Sequence, residues 1–171
     1  FKHNNIEDII LTPEKRLWIG TEKGIFELDG NTYTKILSHN IKDLYVDSKN
    51  NIWAATWSNG VYRFDNKKKT WIHYPKLNQG NSAHLIYEDT KGRIWIGSFG
   101  YGIVLLDNAY DVNKVKYTNF IANDTQNKIS DNYIYSITED TISNILFFGT
   151  RKGISFTNTN DKEFVWNNIF P

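Results

Sequence analysis

One motif recurs four times along this chain, and the recurrence restricts the chain to folds built from equivalent units. The copies read LWIGTEKGI at 17–25, IWAATWSNGV at 52–61, IWIGSFGYGI at 94–103 and LFFGTRKGI at 146–154. The second position of each copy is aromatic, at intervals of 35, 42 and 52 residues: Trp18, Trp53, Trp95 and Phe147. A fold derived from this sequence must therefore place four similar structural units side by side.

Each copy belongs to a longer repeat with four apolar segments. One segment precedes the motif, as in IKDLYV before Trp53, and an aromatic segment follows it, as in TWIHY at 70–74. In the last repeat we assign this outer segment to EFVWN at 163–167. The segments are about six residues long, rich in Ile, Val, Tyr, Phe, Trp and Thr, and separated by Asn, Asp and Gly, which predicts strands. Four repeats of four segments predict sixteen strands.

Short consecutive strands form antiparallel meanders, and a meander that is apolar on both faces must be covered on both. Copies of a unit of ~40–50 residues achieve this by packing around an axis, as the blades of a β-propeller do. The sequence therefore predicts an all-β chain, a single partial propeller over residues 1–171. The predicted blades cover about 5–37, 40–75, 82–121 and 132–167.

The motif residues have predicted structural roles. Trp18, Trp53 and Trp95 should each bury ~150–250 Å² between blades, with Phe147 in register with them. At Gly20 the backbone should approach a neighbour closely or bend. A glycine ends each loop before the third strand, where a positive φ is inexpensive, and these four are Gly24, Gly60, Gly102 and Gly153. Asp47, Asp89 and Asp140 precede the first turn, so we expect their side chains to cap it.

Composition excludes several classes of function. Twenty basic and nineteen acidic residues leave a net charge of +1, so we expect neither nucleic-acid binding nor attachment to an anionic membrane. No apolar stretch approaches the ~20 residues of a membrane span, and without cysteine there are no disulfides. No metal site, catalytic residue or cofactor motif is predicted. The four histidines, His3, His39, His73 and His84, are scattered and are expected to be surface or packing residues.

The repeat D-x-x-x-x-I-W-I-G-[ST]-x-x-x-G-[IV] resembles the two-component regulator propeller repeat, and the resemblance covers nearly the whole chain. Thr12-Pro13 departs from the pattern in the first repeat, and Phe147-Phe148 replaces Trp-Ile in the fourth. The resemblance implies the periplasmic sensor region of a hybrid two-component system, responding to breakdown products of polysaccharides. Streptogramin lyases carry similar repeats, so a propeller enzyme stays open as an alternative, as does a protein-interaction scaffold.

The resemblance also implies partners. Sensors of this type contain propellers of about seven blades, and the opening FKHNNI resembles the end of a preceding blade, so we expect a piece of a longer propeller. Four blades could also close into a small ring. An open fragment would expose two apolar faces, which predicts contact with the remaining blades or self-association of two copies.

Any ligand should contact the end of the blades where the loops before the third strand and the connections between blades meet. Aromatic side chains there could stack on sugar rings while polar ones bind hydroxyl groups of an oligosaccharide. The same residues could instead pack against a second domain. The candidates are Trp57, Asn59, Phe99, Tyr101, Arg151, Lys152, His39 and Asn132.

Overall fold

A computed structural model describes residues 5–75, 77, 80–123, 128–161 and 163–170. His3 and the first letters of FKHNNI lie outside these residues. The described chain forms sixteen strands in four antiparallel sheets of four, each a meander in chain order. The prediction of an all-β chain built of four-stranded propeller blades is confirmed.

The strand bounds are as follows. Blade 1 contains β1 (Ile6–Leu11), β2 (Leu17–Thr21), β3 (Gly24–Asp29) and β4 (Thr32–Leu37). Blade 2 contains β5 (Ile41–Val46), β6 (Ile52–Thr56), β7 (Val61–Asp65) and β8 (Thr70–Tyr74). Blade 3 contains β9 (Leu85–Glu88), β10 (Ile94–Gly97), β11 (Ile103–Asp107) and β12 (Lys116–Phe120). Blade 4 contains β13 (Ile134–Asp140), β14 (Ile145–Thr150), β15 (Gly153–Asn158) and β16 (Asn167–Ile169).

Contacts divide the chain into two compact units, Phe1–Ile86 and Tyr87–Pro171. The first unit contains blades 1 and 2, and the boundary falls within β9. Each unit has its own apolar core. The expectation of a single partial propeller stays a prediction.

In the first unit, the core lies between blades 1 and 2. Trp18 on β2 is 4% exposed, and its ring centre lies 5.5 Å from that of Phe64 and 6.0 Å from that of Trp71, both on blade 2. Gly20 lies against the same blade, because a Cβ atom built there would be 2.8 Å from Ile41 Cγ2. Successive residues of a strand point to opposite faces, so β2 directs Trp18 toward blade 2 and Leu17 and Ile19 away from it.

The second unit has the same arrangement between blades 3 and 4. Trp95 is fully buried and contacts Phe148 and Trp166, with ring centres 5.6 and 6.4 Å away. Phe147 takes the place of the tryptophan in β14, pairs with Phe156 across the strands, and is only half-buried.

The assignment of EFVWN at 163–167 as the outer strand of blade 4 is wrong. The strand begins at Asn167 and ends at Ile169, so blade 4 ends two residues later than predicted. Phe164 and Trp166 precede the strand and pack against Trp95, at 5.1 Å between the Phe164 and Trp95 ring centres. Burial of these two large rings in the core moves the strand pairing toward the C-terminus.

A β-bulge interrupts the first strand of blades 1, 2 and 4. In β1 the register with β2 shifts between Ile6 and Asp8, which leaves Glu7 as the extra residue. The same shift leaves Lys42 extra in β5 and Tyr135 extra in β13. A bulge places residues three apart on one face, which explains the helix-like spacing of Ile6 and Ile9.

The predicted caps of the first turns are confirmed. Asp47 Oδ1 accepts hydrogen bonds from the backbone N–H groups of Lys49 and Asn51, at 2.9 and 2.8 Å. Its Oδ2 atom accepts a further bond from Trp53 Nε1 at 2.8 Å. Asp89 caps its turn in the same way and accepts a bond from Trp95 Nε1, also at 2.8 Å. The turn cap and the tryptophan anchor are thus one hydrogen-bonded unit.

The first and last repeats lack this unit, because the first has no aspartate at the turn and the last has no tryptophan. Thr12 replaces the aspartate in blade 1, and Trp18 Nε1 instead donates to Glu27 Oε2 at 2.8 Å. Glu27 is directly opposite Trp18 on the neighbouring strand β3. In blade 4, Asp140 caps the turn, and Phe147 has no N–H group to satisfy. Every described indole at this position therefore has a carboxylate partner.

Candidate ligand-binding surface at the loop end

The two ends of each blade are built from different connections. The first and third turns of the meander lie at one end, which we call the turn end, and the second loop and the connection to the next blade lie at the loop end. In blade 2, Trp57 N donates to Asn40 O at 2.9 Å and Gly60 N to Asn81 O at 2.7 Å. These bonds hold the candidate loop against the connections on either side of it.

Glycine at the end of this loop is required by a close backbone approach. Gly60 and Gly102 have φ of 71° and 78°. A Cβ atom at either position would collide with a backbone carbonyl oxygen, that of Tyr74 or Phe120. The equivalent Gly24 and Gly153 have φ of 138° and 130° and lie against the carbonyls of Leu37 and Ile169.

In the first unit, the exposed aromatic residue of the loop end is Trp57. Its side chain is 47% exposed, and Lys42 Nζ lies 5.4 Å from the centre of its ring. Lys42 Nζ also forms an ion pair of 2.7 Å with Glu7 Oε1. Glu7 and Lys42 are the bulge residues of β1 and β5. The bulges therefore place a cation beside Trp57 and an anion in contact with that cation.

His39 and Asn59 lie in a different group of the same unit. His39 and His73 stack on opposite faces of Tyr62, with ring centres 4.7 and 4.3 Å from that of Tyr62. His73 Nε2 is 2.7 Å from the backbone oxygen of Asn59. Burial, and secondarily the neighbouring His73, lowers the pKa of His39. These two histidines are therefore not scattered, and the stack gives His39 a packing role.

In the second unit, the loop end carries a larger aromatic group. The ring of Phe99 lies 5.3 Å from that of Tyr135 and 6.1 Å from that of Tyr133. Tyr101, in the same loop as Phe99, is 38% exposed, and Tyr135 is 52% exposed. Phe99, Tyr133 and Tyr135 thus form one cluster of rings, two of which carry hydroxyl groups.

Arg151 adds a cation to this surface. Its guanidinium carbon is 4.2 Å from the centre of the Tyr133 ring, and Nη2 pairs with Asp131 Oδ2 at 3.1 Å. Lys152 Nζ is 3.8 Å from the same carboxylate oxygen. Asp131 is 3% exposed, so a buried carboxylate orients both cations.

Asn132 is engaged by the backbone. Its carbonyl oxygen accepts bonds from Gly100 N and Gly102 N, both at 3.0 Å, and its Oδ1 atom accepts one from Ala122 N at 2.8 Å. Asn132 thus shapes the loop that presents Phe99 and Tyr101.

The candidates fall into separate groups: Trp57 in the first unit, the His39 stack with Asn59, and Phe99 and Tyr101 near Arg151 and Lys152 in the second. Sequence reasoning missed Glu7, Lys42, Tyr133 and Tyr135 at this end. Glu7, Lys42 and Tyr135 share one sequence feature: each is the second residue of the first strand of its blade, where the β-bulge lies.

The described residues contain no group of three His, Asp or Glu side chains arranged to hold a metal ion. They also contain no helix long and apolar enough to cross a membrane.

The meanders, their tryptophan anchors and the loop end define the class of the protein: it is built from β-propeller blades. Residues 35–58 and 78–100 match the family described as "Two component regulator propeller". Two segments of the chain are thus similar to this propeller repeat. Comparison with curated protein sequences found no significant match.

Solved structures share the fold at low sequence identity. The extracellular domains of two putative hybrid two-component systems of B. thetaiotaomicron, BT4673 and BT3049, superpose with TM-scores of 0.78 and 0.79 at 22% and 20% identity. They match 98% and 99% of this chain, which spans only 25% of each of them. Virginiamycin B lyase from Staphylococcus aureus gives a TM-score of 0.71 at 15% identity, over 98% of this chain and 58% of that protein.

Proposed function

We propose that this chain is a ligand-sensing, extracytoplasmic segment of a hybrid two-component regulator and that it contacts its ligand at the loop end. The observation that carries the proposal is the exposure of Trp57, which lies beside Lys42, and of Tyr101 in the equivalent loop of blade 3. The family of the repeats, and the extracellular domains that share the fold, support a sensor placed outside the cytoplasm.

The proposed ligand is an oligosaccharide released from a polysaccharide. Exposed rings bind the apolar face of a sugar, and neighbouring charged groups bond its hydroxyls. Trp57 with Lys42 and Glu7 offers this combination in the first unit. Phe99 and Tyr133, with Arg151 over the Tyr133 ring, offer it in the second. The segment itself performs no catalysis in this proposal, and signalling chemistry belongs to other parts of the regulator.

A thermal-shift experiment tests this function, because a ligand that binds the folded state raises its melting temperature. The chain is titrated with a panel of plant and microbial oligosaccharides, as the wild type and as Trp57→Ala and Tyr101→Ala. We expect at least one oligosaccharide to raise the melting temperature and the two variants to lose this rise. Tyr33→Ala is the matched control, since Tyr33 is 43% exposed on the outer strand β4, away from the loop end.

Two results would contradict the proposal: no oligosaccharide in the panel stabilises the chain, or both loop variants respond as the wild type does. Cleavage of a panel member or of a cyclic depsipeptide by the wild-type chain would instead favour a propeller enzyme, the alternative that the lyase-like fold keeps in view.

The proposed macromolecular partner is a further blade of the same kind. Leu44 and Val46 of β5 face blade 1, while the equivalent Ile9 and Leu11 of β1 are 51% and 60% exposed. An apolar blade face of this kind requires cover. The remaining blades of a longer protein, or a second copy, would provide it.

Light scattering tests whether a second copy covers this face. We expect the wild-type chain to have the mass of a dimer and the Ile9→Asp variant to have a lower mass. A wild-type chain that stays monomeric at high concentration would contradict self-association.

A further inference from the structure

A cavity of about 350 Å³ lies at the turn end of the first unit, opposite the loop end. The first turn of blade 1 supplies Glu14 and Arg16, and the third turn of blade 2 supplies Asn66 and Lys69. Trp18, Ile36 and Phe64 form the apolar part of its lining. The volume lies within the range of small-molecule sites, about 300–1,000 Å³.

Two ion pairs line the cavity. Lys69 Nζ pairs with Glu14 Oε1 at 2.6 Å and also donates to Asn66 Oδ1 at 2.8 Å. Arg16 Nη1 pairs with Glu27 Oε1 at 3.0 Å. The hydrogen bond from Lys69 is the main cause that lowers the pKa of Glu14, so this carboxylate is ionised at neutral pH.

The lining contains two carboxylates and two cations, so its net charge is zero. This balance favours an uncharged ligand. A carboxylate or phosphate in the cavity would face Glu14 and Glu27, and an ammonium group would face Arg16 and Lys69. An uncharged ligand with several hydroxyl groups meets no repulsion and can both donate to the carboxylates and accept from the two cations. The half-buried side chains of Phe64 and Ile36 offer an apolar surface to one face of such a ligand, and the buried Trp18 lies beneath them.

The equivalent residues of the second unit make different contacts, which shows what distinguishes the first unit. In the second unit Lys91 and Arg93, equivalent to Glu14 and Arg16, both donate to the backbone oxygen of Thr159. Arg93 also lies over the Phe164 ring, 5.0 Å from its centre. In the first unit Glu14 stands at the position of Lys91, and Arg16 forms its ion pair with Glu27.

We propose that this cavity binds one uncharged, hydroxyl-rich ring, of the size of a single sugar residue, between blades 1 and 2. The site is separate from the loop end, and it holds whether or not the loop end binds an oligosaccharide.

The test follows the indole N–H resonance of Trp18 in a ¹H–¹⁵N spectrum of the whole chain, assigned with Trp18→Phe. Glucose, galactose, mannose and xylose are titrated, with glucuronate and glucosamine as charged comparators. We expect at least one neutral sugar to shift the Trp18 resonance, and both charged comparators to bind more weakly. Absence of a shift with every neutral sugar at millimolar concentration would overturn the proposal.

Two variants locate the ligand. Lys69→Gln and Glu14→Gln each remove one charged contact and should weaken binding about fivefold or more, the equivalent of about 1 kcal/mol. Lys67→Gln is the matched control, because Lys67 lies in the same exposed basic run and does not line the cavity. Unchanged affinity in both cavity variants, or an equal loss in the control, would overturn the assignment. Trp57→Ala should leave this titration unaffected, which separates it from the test of the loop end.

Discussion

The indole N–H of Trp53 donates a 2.8 Å hydrogen bond to Asp47, a carboxylate that also caps the turn between β5 and β6. Both residues are buried. Asp47→Ala would leave the indole and two backbone N–H groups without their acceptor, and we expect a loss of about 3 kcal/mol in the free energy of unfolding. Urea denaturation measures it.

Asp140→Ala is the control for this prediction. Asp140 caps the equivalent turn of blade 4 but has no indole to bind, since Phe147 stands there. Because Asp140 is exposed, we expect a clearly smaller loss than in Asp47→Ala. Equal losses in the two variants would show that the indole bond contributes nothing.

The pairing of Trp18 with Glu27 should be replaceable. Glu27→Ala removes the acceptor of Trp18 Nε1 and of Arg16, at an expected cost of about 2 kcal/mol. Adding Thr12→Asp restores the arrangement of blade 3, where Asp89 binds both Trp95 and Arg93. The double variant should recover most of the lost stability in urea denaturation, and no recovery would refute the equivalence of the two sites.

Gly60→Ala tests the close approach at the loop end. An alanine there must adopt a φ of 71°, and its Cβ atom would collide with the carbonyl oxygen of Tyr74. We expect a loss of about 3 kcal/mol in the free energy of unfolding, from backbone strain and overpacking together. In Gly30→Ala the φ is 57° and no atom lies within 4 Å of the new Cβ, so about 1 kcal/mol is expected. A thermal melt compares the two, and equal losses would exclude the collision.

Asp43 predicts a pH dependence of stability. Burial is the main cause that raises its pKa to about 7, and the neighbouring Asp8 adds to the rise. The folded state therefore retains a proton that the unfolded state releases near pH 4, so stability falls as the pH rises from about 4 to about 7. The loss for this group is about 4 kcal/mol, from a pKa difference of about three.

Asp43→Asn mimics the protonated form, because the amide oxygen can still accept the 2.7 Å bond from Ile86 N. Urea denaturation should show the variant more stable than the wild type at pH 8, with a smaller difference at pH 5 and almost none below about pH 4. A wild type whose stability rises through this range, with no gain from the substitution, would contradict the prediction.

Much of the fold was predictable because its causes are local. Strand segments, turns and the glycines before β3 and β7 follow from residues within one hairpin. The outer strand of blade 4 was misplaced because its position depends on the burial of Phe164 and Trp166 against Trp95, a contact with another blade. The bulges were missed because the three-residue spacing of Ile6 and Ile9 is compatible with either a helical turn or a bulged strand. Only the pairing of β1 with β2 distinguishes the two.

The candidate site was only partly predictable for the same reason. Trp57 and Tyr101 lie in loops whose length and position the repeats specify, so their exposure could be anticipated. Lys42 beside Trp57 and Tyr135 beside Phe99 come from bulged strands. The stack of His39, Tyr62 and His73 joins residues up to 34 positions apart in the sequence.

The sequence by itself determined the architecture, since four copies of one apolar, turn-bounded pattern can only bury their faces by packing as blades. The tertiary structure alone decided which carboxylate binds each indole, and where the repeats leave a cavity. Those outcomes depend on side chains that meet across blades, where one substitution, such as threonine for aspartate at position 12, redirects the partners around it.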